Sequence, residues 1–247
     1  MAQRDDIVVR PAVKADVDAI ARIHYAALEL YHDFYAAFLA VHPRHTLPKI
    51  TAQALSNPKA VFLVATTGDG SEVLGFVRYH IETPIPTSIE PPAASEIPQH
   101  DHPAPSPFAP KEHLKEVWQR LQNTEAPLSE RYKVESKDRE HAYVYHLMID
   151  PSHQRQGIGK QLMEAAISAA DRVSIPTFIV SSRESHSLYL RLGFKDLASR
   201  VIDNEAWAKE VCRVEQESGQ SQFADLQTKY FGITEMEHLM VRWPIGT

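Results

Sequence analysis

Apolar positions along this chain fall into short, separated runs that switch between strand and helix spacing. Ile7-Val8-Val9 predicts a short strand, and Pro11 to Asp16 leads into a helix. In that helix Val17, Ile20, Ala21, Ile23 and Leu28 mostly keep a helical period. The aromatic-rich stretch Tyr31 to Val41 predicts a second helix, ended by Pro43. Val61 to Val64 reads as a buried strand. The Gly68-Asp69-Gly70 turn and the run Val73 to Ile81 after it predict a β-hairpin.

The pattern then breaks. Nine prolines between Pro84 and Pro110 exclude a regular helix or a central strand there. The stretch from about 83 to 138 therefore reads as a surface insertion, extended or partly disordered, with a lid over the substrate as the sharper alternative. A short helix, Glu112 to Leu121, and a charged segment, Glu135 to Glu140, fall inside it. Regular order returns with a strand from Ala142 to Ile149, a tight loop, a helix from Gly157 to Asp171 and a strand from Thr177 to Val180. A helix (Ser185 to Leu192), a strand (Phe194 to Val201), a helical segment (Glu205 to Val214) and a last strand (Met236 to Trp243) follow. This is an α/β order with no internal repeat.

The loop Gln154-Arg155-Gln156-Gly157-Ile158-Gly159 lies between a buried strand and a helix. Ile158, Leu162, Ala165, Ala166 and Ala169 share one face of that helix. Its first turn leaves backbone N–H groups unpaired, and the helix dipole adds partial positive charge there. Gly157 and Gly159 let an anion approach the backbone, and Arg155 and Lys160 add mobile positive charge. The loop suits a diphosphate. A Walker A loop would need Gly at 154 and Ser or Thr at 161, where Gln154 and Gln161 stand. A dinucleotide fingerprint would need a third glycine near Leu162.

Composition narrows the picture a little. A hydrophobic fraction of 43% and a charged fraction of 23% over 247 residues are ordinary for a globular chain. The formal net charge of −6 argues against nucleic acid and is compatible with a cationic amine substrate. Cys212 is the only cysteine, which excludes an intrachain disulfide and a Cys-based zinc site. No apolar run reaches the length of a membrane span and no signal peptide is visible, so the chain reads as cytosolic.

Leu147-Met148-Ile149-Asp150-Pro151 followed by Gln154-x-x-Gly157-x-Gly159 resembles the signature of the GCN5-related N-acetyltransferases, the GNAT superfamily. Leu188-Tyr189-x-x-Leu192-Gly193-Phe194 resembles that family's later motif, and Val9-Arg10-Pro11-Ala12 with Asp16 and Ala19-Ile20 resembles its first strand and helix. The resemblance is loose over residues 7–81 and good over 141–201. It implies one acetyltransferase domain over 1–247, of the α+β kind, with a mixed central sheet of about seven strands splayed at the cofactor site and flanked by helices.

It also implies acetyl-coenzyme A as cosubstrate and direct attack by an amine, with no acyl-enzyme. Pantetheine would lie along Leu147, Met148 and Ile149, with the Leu147 backbone N–H facing the developing oxyanion. Gln154, Arg155, Gln156, Gly157, Ile158, Gly159 and Lys160 would hold the pyrophosphate, and Ser182 and Ser185 would complete the cofactor set. Tyr189 would be the general acid toward the thiolate, although a phenol near ~10 and a thiol near ~8.5 make full transfer weakly driven. A packed helical tyrosine is the plain alternative.

The base is less well marked. Relatives place Glu where Thr177 stands, Glu or His at the position of Tyr143, and Asn at that of Ser182, and none of these occurs here. Strict alternation sets Tyr143, Tyr145 and Leu147 on one strand face and Val144, His146 and Met148 on the other. His146 would then point away from the acceptor, and Glu82, beside the insertion, stands as the base, with His80 and a water chain as alternatives.

No metal is expected, since His100-Asp101-His102 lacks a preorganised third ligand. Tyr31, His32, Phe34, Tyr35 and Phe38 read either as an acceptor pocket or as core, and Cys212 as a small packed residue. Three functions remain: acetylation of a small-molecule primary amine, acetylation of protein lysines or N-termini, and a non-catalytic coenzyme A-binding sensor or scaffold. No membrane partner is expected, and association as a homodimer is left open.

Overall fold

The computed structural model describes residues 7–84, 108–220, 223 and 225–244. Among the described residues seven strands form one sheet: β1 (Val8–Pro11), β2 (Ala60–Thr66), β3 (Val73–Glu82), β4 (His141–Ile149), β5 (Thr177–Ser182), β6 (Lys195–Asp203) and β7 (Thr234–Arg242). Their spatial order is β1-β2-β3-β4-β5-β7-β6. Every pairing is antiparallel except β4 with β5. The helices are α1 (Val17–Ala27), α2 (Glu29–Ala36), α3 (Pro43–Leu55), α4 (Lys115–Asn123), α5 (Ala126–Ser136), α6 (Ile158–Arg172), α7 (Arg183–Arg191), α8 (Asn204–Glu217) and α9 (Leu226–Lys229).

One sheet face packs on α6. Ile158, Leu162, Met163, Ala166, Ile167 and Ala170 meet Val77, Tyr79, Val144 and Ile179 there. The buried stripe runs through Met163, Ile167 and Ala170, while Ala165 and Ala169 stay half-buried at its edge. Elsewhere the sheet packs on α1, where Ile20 and Ile23 meet Phe62, Val64 and Phe76. A separate cluster joins α2, α4, α8 and α9 around Phe34, Phe38, Leu121, Val211 and Tyr230. The aromatic stretch after α1 is thus largely core at Phe34 and Phe38. Cys212 packs half-buried against the same cluster, as its size suggests.

Two readings need correction around the prolines. The second helix ends at Ala36, and Pro43 opens α3 instead of closing α2. At the first helical position proline loses no needed hydrogen bond, and its φ is already helical. His42 accepts the Arg44 N–H through Nδ1 at 3.2 Å and caps the turn. The region before β4 is likewise not plain loop, because α5 crosses it with Leu128 as its buried residue. One buried apolar position gives almost no periodic signal. The lid alternative and His100-Asp101-His102 fall on residues outside the described ones.

The third correction is a bulge. Arg78 pairs with His146 and Tyr79 with Val144, so Tyr145 is an extra residue in β4. It inverts the alternation. Ala142, Val144, Leu147 and Ile149 pack toward α6, whereas Met148 packs on the α1 side beside Phe76, with His146 against the Phe76 ring. Leu147 and Tyr143 therefore lie on opposite faces, and His146 shares a face with Tyr143. The β3–β4 pair leaves no room for a side chain at Gly75, where a Cβ would sit 2.7 Å from Ile149 Cδ1 and 2.8 Å from the Met148 carbonyl oxygen. Gly75→Ala is expected to cost about 1–3 kcal/mol, read as a lower urea midpoint at unchanged m value.

Candidate functional site

The pairing of β4 with β5 covers only Ala142–Val144 against Thr177–Ile179. Past the bulge the two strands part, and the β4 backbone from Tyr145 to Ile149 has no described strand on its β5 side. Buried backbone amides seek partners, so this cleft is suited to an extended, amide-bearing ligand. Leu147, Met148 and Ile149 form one wall. The start of α6 and the flank of α7 close in on it: a Cβ placed on Gly159 would sit 3.6–3.7 Å from Leu188 Cδ2, Ile149 Cγ1 and Leu147 Cδ2.

The loop from β4 to α6 is tied down at both ends. Asp150 is buried, accepts from Ser152 N at 3.0 Å and Ser152 Oγ at 2.5 Å, and pairs with Arg22 Nη1 at 2.6 Å. Burial pushes its pKa up, but these bonds outweigh it and hold the carboxyl at about 2. Gln154 Nε2 donates to the Ile149 carbonyl at 3.2 Å, so this side chain braces the loop. Arg155 and Gly157 are both left-handed, at φ 63° and 88°, and a Cβ on Gly157 would meet nothing within 4 Å. Successive N–H groups in such a turn form an anion-binding concavity at the α6 N-terminus. A diphosphate therefore fits. Lys160, exposed and paired with Glu164 at 2.8 Å, sits one turn in.

Ser182 occupies the N-cap position of α7 without a side-chain capping bond; its Oγ lies 3.2 Å from Ser185 Oγ, with Ser181 Oγ 3.3 Å from the same Ser185 oxygen. Tyr189, one turn on, is 2% exposed, with its ring 5.6 Å from Phe194. Burial drives its pKa far up and the Ser185 hydroxyl only partly offsets it, so the phenol stays protonated. The structure thus sets Leu147, Ile149 and the start of α6 against Leu188 of α7, the helix that also carries Ser185 and Tyr189.

Glu82 lies apart from them. It pairs in register with His141, six residues before Leu147, which is about 20 Å along a strand. Its carboxylate accepts from Tyr145 Oη at 3.0 Å. His80 Nε2 lies 3.2 Å from Arg78 Nη2 and must accept, since a guanidinium only donates; this leaves Nδ1–H facing Glu82 at 3.5 Å. His146 is enclosed by His24, at 4.4 Å between rings, and by Phe76; loss of solvent and the Arg78 charge push its pKa down to about 3. It is a neutral, inward histidine.

The sequence reading missed another set. Glu235 and Glu237 stand two apart on β7, on the sheet face opposite α6. Glu235 is buried and hydrogen-bonded to Asn204 Nδ2. Burial, then Glu237, raise its pKa to about 7 against the Asn204 bond. Glu237 accepts from Arg200 Nε at 2.6 Å. Tyr31 donates to Glu184 at 3.5 Å, and burial with Glu184 and Glu235 lifts its phenol to about 12. Ile179 pairs with Val144 on one side and Met240 on the other, and Ser182 with Glu237. Continuing that register past the splay puts Glu237 at about the level of Leu147, with Glu235 about 7 Å beyond. The clue in the sequence was the spacing Glu235-x-Glu237, but the last strand was read as starting at Met236.

Residues 134–210 match the family model described as an acetyltransferase (GNAT) domain. The chain is 28% identical over 64 residues to an uncharacterized N-acetyltransferase of Schizosaccharomyces pombe, a match covering 26% of this chain and 27% of that protein. A solved structure titled histone acetyltransferase HPA2 and related acetyltransferase, from Corynebacterium glutamicum, matches at TM-score 0.53 and 18% identity over 98% of each chain. A mosquito arylalkylamine N-acetyltransferase like 5b matches at TM-score 0.56 and 12% identity, over 96% of this chain and 100% of that one. At such identity these two show the shared fold. The splayed sheet and the glycine loop define an acetyltransferase fold. The segment 134–210 is thus similar to the GNAT acetyltransferases, a family of acyltransferases that use acetyl-coenzyme A, and the chain shares their fold.

The Asp150 network generates a test. A carboxyl held low in the fold contributes stability above its ordinary value of 3.8, and that contribution is lost as pH falls through about 2. Asp150→Ala should cost about 1–3 kcal/mol near neutrality, with the gap from wild type closing in acid, measured by chemical unfolding at several pH values.

Proposed function

We propose that this chain is an acetyl-coenzyme A-dependent N-acetyltransferase whose acceptor is a cationic primary amine on a small molecule. The observation that carries this is Glu235, a buried carboxyl with a pKa of about 7, beside a second carboxylate on the sheet face opposite the glycine loop. An alkylammonium titrates near ~10.4, so an acceptor needs both attraction and a base. A base poised near the working pH combines availability with driving force. Glu237, Glu184 and the half-buried Tyr31 and Tyr35 supply negative potential and aromatic walls, in which a compact cation is well matched.

Acetyl-coenzyme A supplies the thioester. The N–H groups from Gln154 to Lys160 hold its pyrophosphate, Ser182 and Ser185 flank it, and the Leu147–Ile149 backbone aligns the pantetheine arm. The Leu147 N–H stabilises charge on the acetyl oxygen. Glu235 takes the ammonium proton, directly or through one water, which replaces Glu82 as the base. Tyr189 Oη, kept protonated by burial, donates toward the departing sulfur.

Acetyl transfer to a panel of small amines and to peptides tests the reading. Turnover on peptides alone would sink the small-molecule acceptor, and tight coenzyme A binding without any turnover would sink the enzyme. Glu235→Gln should lower kcat by about 10²–10⁴ and abolish the limb of the pH–rate profile that rises through about pH 7, with coenzyme A affinity unchanged. A carboxyl raised in the fold favours the folded state below its ordinary value of 4.5, and that benefit disappears as pH rises through about 7. The same variant should therefore melt higher than wild type at pH 8 and nearly alike at pH 4. Tyr189→Phe with unchanged turnover would remove the acid role.

A further inference from the structure

On the α6–α7 side of the sheet, away from the carboxylates of β7, three side chains from three elements converge on one point. His186 of α7 places Nε2 2.8 Å from Asp196 Oδ1 and 3.1 Å from Oδ2. His238 of β7 places Nδ1 3.5 Å from the same Oδ1. The two imidazole rings stack at 3.9 Å and 21°. One ligand atom from each residue lies within 4.8 Å of the other two. The side chains of His186 and His238 are 22% and 15% exposed, against 46% for Asp196, so the imidazoles are held from below and the carboxylate forms an open rim.

Two imidazoles and one carboxylate, converging with a solvent-facing side left for water, are the donor set of borderline divalent ions. The backbone holds it firmly. His238 pairs with Ser181 on one side and Ser199 on the other, and Asp196 sits at the β6 bulge, next to the break in register before Ala198. Arg183 is the nearby opposing charge.

We propose that His186, Asp196 and His238 bind one divalent first-row transition-metal ion, of the Zn2+ class, with water completing the coordination. The ion displaces the proton shared between His186 Nε2 and Asp196. It pins α7 to the β6–β7 pair, and so fixes the helix that carries Ser185 and Tyr189. The role is structural, since none of the three ligands lies on the sheet face of Glu235.

The test is calorimetric titration of chelator-treated full-length protein with ZnCl2, paralleled by Co2+ and its visible d–d absorption. One equivalent of Zn2+ should bind and raise Tm. Asp196→Asn, at an exposed position, should weaken binding by about tenfold or more, and His186→Asn with His238→Asn should abolish it. His100→Ala with His102→Ala should leave it unchanged. Absence of binding at millimolar Zn2+ would overturn the site. So would binding that survives the His186/His238 pair and vanishes with the His100/His102 pair. Should the double variant not fold, imidazole nitrogen NMR of the wild type decides: shifts at His186 and His238 on adding Zn2+ support the site, and shifts elsewhere alone refute it.

Discussion

The extra residue Tyr145 governs how the rest of this molecule is arranged. With one residue too many between His146 and Val144, β4 cannot stay in register with β3 and also run flush beside β5. It parts from β5 after three paired positions, and a stretch of backbone amides is left facing a cleft. The bulged side chain is not idle. Its ring lies under the Arg78 guanidinium at 5.1 Å, and its hydroxyl reaches Glu82 at 3.0 Å, which gives the irregularity a fixed geometry. Around that opening the glycine loop, the start of α6 and the start of α7 all find their places.

The two faces of the sheet then divide the labour. On the α6 side lie the backbone donors, the helix N-termini and the serines, which suit a phosphorylated, amide-rich ligand. The other face carries Glu235, Glu237 and the tyrosines of α2, which suit a cation. A half-buried group of histidines, His24 of α1, His32 of α2 and His146 of β4, stands together, and loss of solvent lowers the pKa of each. These are interior polar residues whose charge is suppressed, in contrast to Glu235, whose carboxyl is held at the point of ionisation.

Such a carboxyl weakens the fold at neutral pH, as a buried acid near titration must. Tolerating it at the head of β7 is understandable if the group is used. Asp150 shows the opposite case. Equally hidden from solvent, it is surrounded by three donors from Ser152 and Arg22 and becomes a firm anchor for the loop. The difference lies in desolvation, in the neighbouring charge, Glu237 in one case and Arg22 in the other, and in the hydrogen bonds offered to the charged form, and it separates a structural carboxylate from a candidate base.

Most elements and the donor side were legible in the sequence, because they depend on local rules. Period-two and period-3.6 runs mark β2, β3, β4 and α6, and glycine at the left-handed position before α6 is a backbone requirement that only a few residues meet. Helices α3 and α5 escaped notice because proline was read as a stop where it starts a helix, and because one buried leucine makes no pattern. The acceptor side depended on tertiary structure. A single inserted residue in β4 reverses which side chains share a face, and no local period reveals it. Bringing Glu235 near the level of Leu147 needs the parallel β4–β5 step and the antiparallel return of β7, a juxtaposition of residues some ninety positions apart. The sequence by itself determined which backbone could hold a diphosphate; which carboxyl would be stripped of water, and so poised to take a proton, was decided only when the sheet closed around it.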